Sequence, residues 1–406
     1  MSKRVLVIGI NFTPEPTGIG KYTAEMVDWF SNNGFECTVV TSFPYYPHWV
    51  VQPPYTGRSY KKELLRDGNV EIYRCPLFVP QIPSGGRRMI HEATFFVSSF
   101  LAVLRQLFRP KHDYIFCVAP PFHMGLLGLF YRMFRRGKLV YHVQDLQVDA
   151  AKELGMLKSG PLLRFLFKLE KFIMRRADKV STISRGMIRK IKVKAEREVL
   201  FCPNWVDTEQ FFPTYNKNNS RKDWGFADND KIILYSGSIG EKQGLESIIG
   251  VAEELKNDPS FKFIICGSGP YKEKLQQLTE SQNLSNIIFY PLQPVEKLND
   301  FFNLADVHLV IQKAGASDLV MPSKLSAILS VGGLAIITAN PGTGLFEEVK
   351  QYNMGILGEA ENVRALLDSI RHAIYNDHDK IKVNARRYAE NHLTIDRVMT
   401  DFVQTL

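Results

Sequence analysis

Short apolar runs rich in β-branched residues alternate with longer segments of helical periodicity along the whole chain. Several of these runs are apolar at almost every position, which is typical of strands covered by helices on both faces. In the first half, the predicted strands are 4–10, 36–42, 70–74, 114–119, 138–144, 179–183 and 199–202. The helices predicted between them cover about 19–33, 88–108, 123–136, 161–176 and 184–194.

The same alternation begins again after Asp230, where the predicted strands are 231–236, 261–266, 286–290, 307–311 and 334–338. This order of strands and helices predicts a parallel, doubly wound sheet, and here the order occurs twice. The segment from Pro203 to Asp230 has no periodicity and is rich in Asn, Pro and Asp, as expected of a domain junction.

The predicted fold class is therefore α/β, with two doubly wound, Rossmann-like domains facing a central cleft. We assign residues 1–205 to the first domain and 206–385 to the second. Residues 386–406 are predicted to form a helix that packs back toward the first domain. In sheets of this type, ligands bind at the carboxyl ends of the strands.

Composition excludes several classes of protein. With 406 residues, 45% of them hydrophobic and 23% charged, the chain is not disordered, collagen-like or a coiled coil. Its five cysteines have no paired spacing, which argues against a disulfide framework and a structural zinc site. The first apolar run has only about seven residues, too few for a signal peptide, so we expect a cytoplasmic protein.

Glycine-rich loops follow several predicted strands and suggest phosphate binding. After the first strand, Gly18 and Gly20 open a helix, where backbone N–H groups and the helix dipole favour an anion. In the second half, a loop with Gly237 and Lys242 follows a strand in the same way. Glycine turns without a ligand and a solvated surface lysine are the alternative interpretation of these loops.

In these loops and in several other motifs, the chain resembles the retaining glycosyltransferases of family 4, which have the GT-B fold. The motifs are GIGKYT at 18–23, PNWVD at 203–207, YSGSIGEKQGLE at 235–246, CGSGP at 266–270 and MPSKL at 321–325. The EKQG and PSKL forms are most similar to bacterial exopolysaccharide and O-antigen transferases, including the colanic-acid and L-fucosamine types. This resemblance implies transfer of a sugar from a nucleotide diphosphate sugar, with retention of configuration and without a metal or other cofactor.

The resemblance also assigns roles to residues at the matching positions. Lys242 is the family lysine on the donor diphosphate and a candidate catalytic residue. The other donor-binding candidates are Gly18, Gly20, Gly237, Ser238, Gly267, Ser268, Gly269, Tyr290, Leu292, Asp318, Pro322, Ser323 and Lys324.

Two departures from the family pattern affect the donor site. Ser238 stands where the family has an arginine in the phosphate loop. Of the family's paired glutamates, Asp318 is near the first position, while Ser326 or Ala327 occupies the second, which contacts the donor ribose. The choice between UDP and GDP therefore stays open, with UDP favoured.

A polar cluster ends the predicted strand at 138–144. His142 and Asp145 are candidate catalytic residues that orient the attacking hydroxyl, and Gln144 and Asp149 are candidates on the acceptor side. A histidine at a strand end is also a common structural residue. By resemblance no protein nucleophile is needed, because the leaving phosphate accepts the proton of the acceptor, so the main requirement is charge stabilisation.

Positive charge is concentrated in residues 1–205, which contain 31 Lys and Arg against 16 Asp and Glu. Nucleic acid, an anionic membrane and an acidic substrate are the candidate partners. Segments 95–109, 126–136 and 162–176 combine bulky apolar residues with cations but are too short to span a bilayer. We favour a membrane surface over nucleic acid or core helices, with these residues facing it: Arg132, Arg135, Arg136, Arg175 and Arg176.

The sequence therefore predicts a retaining glycosyltransferase at the cytoplasmic face of the inner membrane. It would move a sugar from a nucleotide diphosphate sugar to a lipid-linked saccharide in the synthesis of bacterial exopolysaccharide, capsule or O-antigen. A nucleotide-sugar epimerase of the same fold and a non-catalytic nucleotide-sugar-binding scaffold are the alternatives. The oligomeric state, the transferred sugar and the linkage are left open.

Overall fold

A computed structural model describes residues 2–16, 18–51, 53–56, 59–82, 84–153, 160–214, 221–313 and 323–406. The chain divides into two compact units. One comprises the chain up to Pro203 together with Met399–Leu406, and the other comprises Asn204–Val398. Among the described residues, no helix combines the length and the apolar character that crossing a membrane requires.

The first unit is built on an eight-stranded sheet in the order β3-β4-β2-β1-β5-β6-β7-β8. Its strands are β1 Arg4–Ile8, β2 Glu36–Ser42, β3 Lys61–Leu65, β4 Val70–Cys75, β5 Tyr114–Ala119, β6 Lys138–Val143, β7 Lys179–Thr182 and β8 Leu200–Phe201. Its helices are α1 Gly18–Asn32, α2 Gly85–Gln106, α3 Met124–Arg135, α4 Gln147–Glu153, α5 Pro161–Arg176 and α6 Arg185–Ala195. All strand pairs are parallel except β3 with β4.

Strand β3 is an element that the hydrophobic pattern does not reveal. Its sequence, KKELL, is exposed along most of its length, so it has no apolar alternation to detect. Pairing with β4 holds it at the sheet edge, where Lys62 bonds Glu71 at 2.8 Å and Arg74 bonds Glu63 at 3.0 Å. An edge strand rich in charge is also protected against pairing with another chain.

The second unit contains a six-stranded parallel sheet in the order β11-β10-β9-β12-β13-β14. Its strands are β9 Lys231–Ser236, β10 Phe261–Cys266, β11 Ile287–Tyr290, β12 Val307–Val310, β13 Ala335–Thr338 and β14 Ile356–Gly358. Its helices are α7 Glu246–Glu254, α8 Lys272–Ser281, α9 Val295–Asn303, α10 Ser323–Ser330, α11 Gly344–Tyr352, α12 Val363–Tyr375, α13 Asp379–His392 and the start of α14 Ile395–Gln404.

Alternate residues of each central strand enter two different cores. Ile232 and Leu234 of β9 belong to a cluster with residues of α9, α10, α11 and α13. Ile233 and Tyr235 belong to a second cluster with residues of α7, α8 and α12. Because successive side chains of a strand point to opposite faces, helices on both faces require the apolar runs that the sequence shows.

The C-terminal segment differs from the single helix predicted over 386–406. Two helices, α13 and α14, share this segment, and only the part from Met399 onward belongs to the first unit. Arg386 donates hydrogen bonds to the carbonyls of Phe211 at 2.8 Å and Ser330 at 2.6 Å, both in the second unit. By contrast, the ring of Phe402 lies 6.1 Å from that of Phe116 in the first.

Candidate active site

The predicted donor residues of the second unit that the structure describes lie along the carboxyl edge of its sheet. Cys266 of β10 pairs with both Ser236 of β9 and Tyr290 of β11, so the loops that follow these three strands are neighbours. The edge therefore brings together Gly237, Ser238, Gly267, Ser268, Gly269, Tyr290 and Leu292. Asp318 and Pro322 lie outside the described residues, and Ser323 is described as the first residue of α10.

Two of these loops pack backbone against backbone, which explains their glycines. Gly237 N–H donates to the carbonyl of Cys266 at 2.9 Å, and Ile239 N–H donates to that of Ser268 at 2.9 Å. A Cβ atom on Gly267 would lie 1.9 Å from the oxygen of Gly237, and one on Gly269 would lie 2.1 Å from the oxygen of Ile239. Only glycine fits at either position. The contact leaves Ser238 and Ser268 exposed at the edge.

Lys242 lies in a short 3-10 turn, Glu241–Gln243, whose backbone is held by hydrogen bonds. The side chain of Gln243 accepts from Gly240 N–H at 3.1 Å, and the carbonyl of Lys242 accepts from Lys313 N–H at 3.0 Å. The Lys242 side chain is exposed. The arrangement fixes the turn while leaving the cation at the surface, as a phosphate-binding lysine requires. Lys313, which follows β12, lies against this turn and is a cation that sequence reasoning missed.

Lys324 has the most unusual environment at this edge. Its Nζ lies 3.4 Å from the centroid of the Tyr235 ring, is shielded from solvent and has no hydrogen-bond partner among the described residues. Burial holds the pKa of this amine well below its usual range. A Cβ atom on Gly237 would lie 3.8 Å from this Nζ, so the amine lies against the glycine loop of β9.

The glycine loop of the first unit is organised by a residue that sequence reasoning missed, Glu15. One carboxylate oxygen accepts from the N–H groups of Tyr45 and Tyr46, each at 3.0 Å, and the other accepts from Asn11 at 2.8 Å. A Cβ atom on Gly20 would lie 2.8 Å from this carboxylate. Burial raises the pKa of Glu15. The carboxylate thus joins the loop after β1 to the loop after β2.

The polar cluster after β6 has clear structural partners. His142 is buried, its Nδ1 lies 3.0 Å from Ser181 Oγ, and burial lowers its pKa to about 4. Gln144 is buried too, with its N–H donating to the carbonyl of Ala119 at 2.9 Å. Asp145 lies half-buried just beyond the strand. The catalytic role of His142 stays a prediction, and its neutral ring would act without carrying a charge.

Asp149 and the basic helices also have defined contacts. Asp149 pairs with Lys194, which bonds the buried Glu170 at 2.5 Å. Of the arginines predicted to face a membrane, Arg132 pairs with Asp178 at 2.7 Å, Arg175 with Glu196 at 3.4 Å, and Arg135 donates to the carbonyl of Arg109 at 2.6 Å. Arg136 and Arg176 are exposed. Two of the five predicted cations are therefore balanced by carboxylates.

Comparison with known proteins identifies the family. Residues 17–205 match the glycosyl transferase 4-like domain, and residues 216–392 match the glycosyl transferases group 1. The chain is 39% identical to WcaI of Escherichia coli K12, named as a colanic acid biosynthesis glycosyl transferase, over 99% of both chains. The chain belongs to this glycosyltransferase family. The resemblance and the enzyme class predicted from the motifs are confirmed, against the epimerase alternative.

Solved structures confirm the fold class. Sucrose-phosphate synthase from Thermosynechococcus elongatus matches with a TM-score of 0.76 and 15% identity, over 99% of this chain and 98% of that one. Anabaena HepE in complex with UDP-glucose matches with a TM-score of 0.71 and 13% identity, also over 99% and 98%. The fold of this glycosyltransferase is therefore GT-B, with two Rossmann-like domains.

Proposed function

We propose that this glycosyltransferase moves a sugar from a UDP-sugar to a lipid-linked saccharide in the synthesis of a bacterial surface polysaccharide. The observation that carries the donor site is the buried, unbonded amine of Lys324 against the loop of Gly237. A donor diphosphate at this edge would supply the partner that the amine lacks. UDP-glucose bound to HepE and the name of WcaI support the donor and the pathway, respectively.

Charge stabilisation of the leaving diphosphate is the proposed source of catalysis. Lys324 is in the first turn of α10, where the helix dipole also favours negative charge. Lys242 adds an exposed cation from the neighbouring loop. As the bond from the anomeric carbon to the phosphate oxygen breaks, negative charge grows on that oxygen. The Lys242 cation stabilises this charge, and so does the Lys324 amine, whose protonated form the adjacent diphosphate favours.

The proton of the acceptor hydroxyl passes to the leaving phosphate oxygen while the new glycosidic bond forms on the same face of the sugar. This path retains the anomeric configuration and requires neither a protein nucleophile nor a metal ion. His142 is compatible with it, because the low pKa of its imidazole keeps it neutral at pH 7. Proton NMR of the product anomer and assays in EDTA test the retention and the metal independence.

Contact with a membrane is the second part of the proposal, and the exposed face of α2 supports it. Val97, Leu101 and Phe108 expose 63%, 52% and 87% of their surface, although they are large apolar residues. The i, i+4 spacing of Val97 and Leu101 places them in one row along the outer side of α2, and Phe108 follows two residues after the end of that helix. Met133 and Phe134, at the end of the neighbouring α3, are exposed as well. Apolar rows this exposed are typical of membrane or partner surfaces.

Exposed cations on helices of the same unit support a membrane containing anionic lipid. Arg105, Arg136, Arg164 and Lys168 are exposed on α2, on α5 and at the end of α3. A helix with apolar residues on its outer face and basic residues beside them binds at the level of the lipid headgroups. This surface would give the enzyme access to a lipid-linked acceptor at the cytoplasmic face of the inner membrane.

A nucleotide-sugar screen tests the donor assignment. Purified protein is incubated with UDP-glucose, UDP-N-acetylglucosamine or GDP-fucose, and its thermal stability is measured with and without EDTA. A UDP-sugar should raise the Tm more than the GDP-sugar, because a ligand that binds only the folded state stabilises it. Stabilisation by GDP-fucose alone would overturn the UDP assignment. Turnover with a lipid extract as the acceptor then separates an enzyme from a non-catalytic scaffold.

A further inference from the structure

A group of partly exposed side chains lies in the loop after β2 and at the start of α2, in the first unit. Trp49 is in the loop after β2 and has a φ of 55°, in the left-handed region. Bulky side chains rarely adopt this conformation, and residues held in it often belong to functional sites. The indole is only half-buried. A strained backbone therefore holds a partly exposed tryptophan at the carboxyl edge of the sheet, where ligands of parallel sheets bind.

Buried aromatic residues fix the position of the Trp49 ring. The rings of Tyr45 and His91 each lie 5.4 Å from it, and both residues are almost completely buried. His91 is anchored through its Nδ1, which lies 2.5 Å from the carbonyl oxygen of Phe78. Tyr45 is anchored through its N–H group, which donates to Glu15. The indole therefore has a rigid support and does not rearrange freely in solvent.

The guanidinium of Arg88 lies 5.2 Å from the centroid of the Trp49 ring. Arg88 is exposed and makes no hydrogen bond through its side chain to any described residue. It stands in the first turn of α2, where its positive charge opposes the helix dipole. An anion at this position would be attracted by both the guanidinium and the positive end of the helix dipole. Its charge would offset the repulsion between these two positive groups.

We propose that Trp49 and Arg88 bind an anionic saccharide, the indole packing against a pyranose ring and the guanidinium meeting the negative charge. The site deepens the proposed function, since it names the acceptor as the ligand, and it rests on that function for this identity. Excess positive charge in residues 1–205 favours an anionic over a neutral saccharide at this unit. The charge belongs either to a sugar carboxylate or to the diphosphate of a lipid carrier.

The neighbouring carboxylate of Glu92 does not prevent this binding. Glu92 follows Arg88 by one helical turn, and its carboxylate accepts a hydrogen bond from Gln147 at 2.7 Å. Burial raises the pKa of Glu92 to about 7. Near neutral pH, the Glu92 carboxyl is therefore uncharged in part of the protein molecules. Its repulsion of an anion bound at Arg88 is correspondingly reduced.

Titrations with defined probes test the site in the full-length protein. The probes are trigalacturonic acid, the neutral trisaccharide maltotriose and inorganic diphosphate, followed by tryptophan fluorescence and calorimetry. We expect trigalacturonic acid to bind at least tenfold more tightly than maltotriose. Arg88→Gln should remove this preference, and Trp49→Ala should weaken trigalacturonic acid binding at least tenfold. Arg87→Gln, a change of the adjacent exposed arginine, should stay within twofold of the original protein.

Competition by inorganic diphosphate separates the two sources of charge, because it displaces the probe only if the site accepts a carrier diphosphate. Equal affinity for the neutral and charged trisaccharides, or equal losses in Arg87→Gln and Arg88→Gln, would overturn the proposal. Circular dichroism of each variant shows whether it is folded. UDP binding in the same samples reports separately on the donor site, so failure of the donor assignment leaves this result interpretable.

Discussion

Lys324 holds its amine 3.4 Å from the centre of the Tyr235 ring, where the described residues offer it no hydrogen bond. A buried amine without an acceptor destabilises the folded protein, and the aromatic ring compensates only in part. In the proposed donor site, this pair links the stability of the unliganded enzyme to its affinity for a diphosphate.

Replacing Lys324 by Met should separate these two properties. Without ligand, we expect the variant to be as stable as the original or more stable by about 1 kcal/mol, because an apolar chain replaces an unbonded amine. The rise in Tm with UDP should be lost, since the charged partner of the diphosphate is gone. Thermal denaturation with and without UDP measures both effects. Lys256→Met, on an exposed position of the same unit, serves as the control.

The pH dependence of stability provides an independent check on Lys324. Its folded pKa is lower than its unfolded pKa, so between these values the unfolded chain binds the additional proton. Stability should therefore rise with pH across this interval, and Lys324→Met should lack that contribution. Urea denaturation of both proteins between pH 7 and about pH 10 measures the difference. Parallel curves would show that the amine is solvated in the folded state.

Lys242→Ala should reduce transfer while leaving the fold intact. Its side chain is exposed, so its loss creates no cavity. Loss of a charge-assisted contact to the leaving diphosphate should raise the barrier by about 2–4 kcal/mol. Steady-state transfer rates and the Tm of the variant check the two statements. Rates within threefold of the original would remove Lys242 from the site.

Gly267→Ala should disrupt the contact between the loops that follow β9 and β10. The new Cβ would lie 1.9 Å from the oxygen of Gly237, and the backbone must move to relieve the clash. We expect a loss of stability on the order of 3 kcal/mol, together with weaker UDP binding. Gly225→Ala is a matched control, because its φ is 79° but no atom lies near its Cβ position. Similar losses in both would show that conformational strain, not loop packing, dominates.

His142 should contribute to acid sensitivity. Its pKa is lowered to about 4 by burial, while the unfolded imidazole titrates near its ordinary value. The unfolded chain therefore binds more protons between about pH 6.5 and pH 4, and stability falls as the pH drops through this range. The full contribution is on the order of 3 kcal/mol. Urea denaturation at several pH values measures this fall in the free energy of unfolding. His142→Gln should reduce the fall only in part, because His112 and His123 have similarly lowered pKa values.

The proposed membrane surface predicts two components of vesicle binding. Exposed cations should give a component that requires phosphatidylglycerol and weakens with salt, at roughly 1 kcal/mol for each basic residue near the surface. Leu101→Asp should remove the salt-resistant component, which depends on inserted apolar side chains. Flotation with neutral and anionic vesicles measures both. Equal binding of Leu101→Asp and the original protein at high salt would exclude α2 from the surface.

Local patterns in the sequence were sufficient to predict the alternation of strands and helices, the repeated α/β order and the glycine loops. These features depend on periodicity and on residues close together in the chain, so no knowledge of distant contacts is needed. The motifs at Gly237, Gly267 and Lys324 were also sufficient to identify the glycosyltransferase family. The positions missed in the fold, such as β3, lacked this local signal and formed only through pairing with another strand.

Tertiary structure alone decided which of these residues meet. Glu15 is an ordinary residue of a proline-rich loop until the parallel pairing of β1 and β2 brings Tyr45 and Tyr46 to its carboxylate. Burial of Lys324 against Tyr235 and the approach of Arg88 to Trp49 depend in the same way on which strands are neighbours. Burial and electrostatic environment arise from packing between distant segments, and no spacing along the chain encodes them directly.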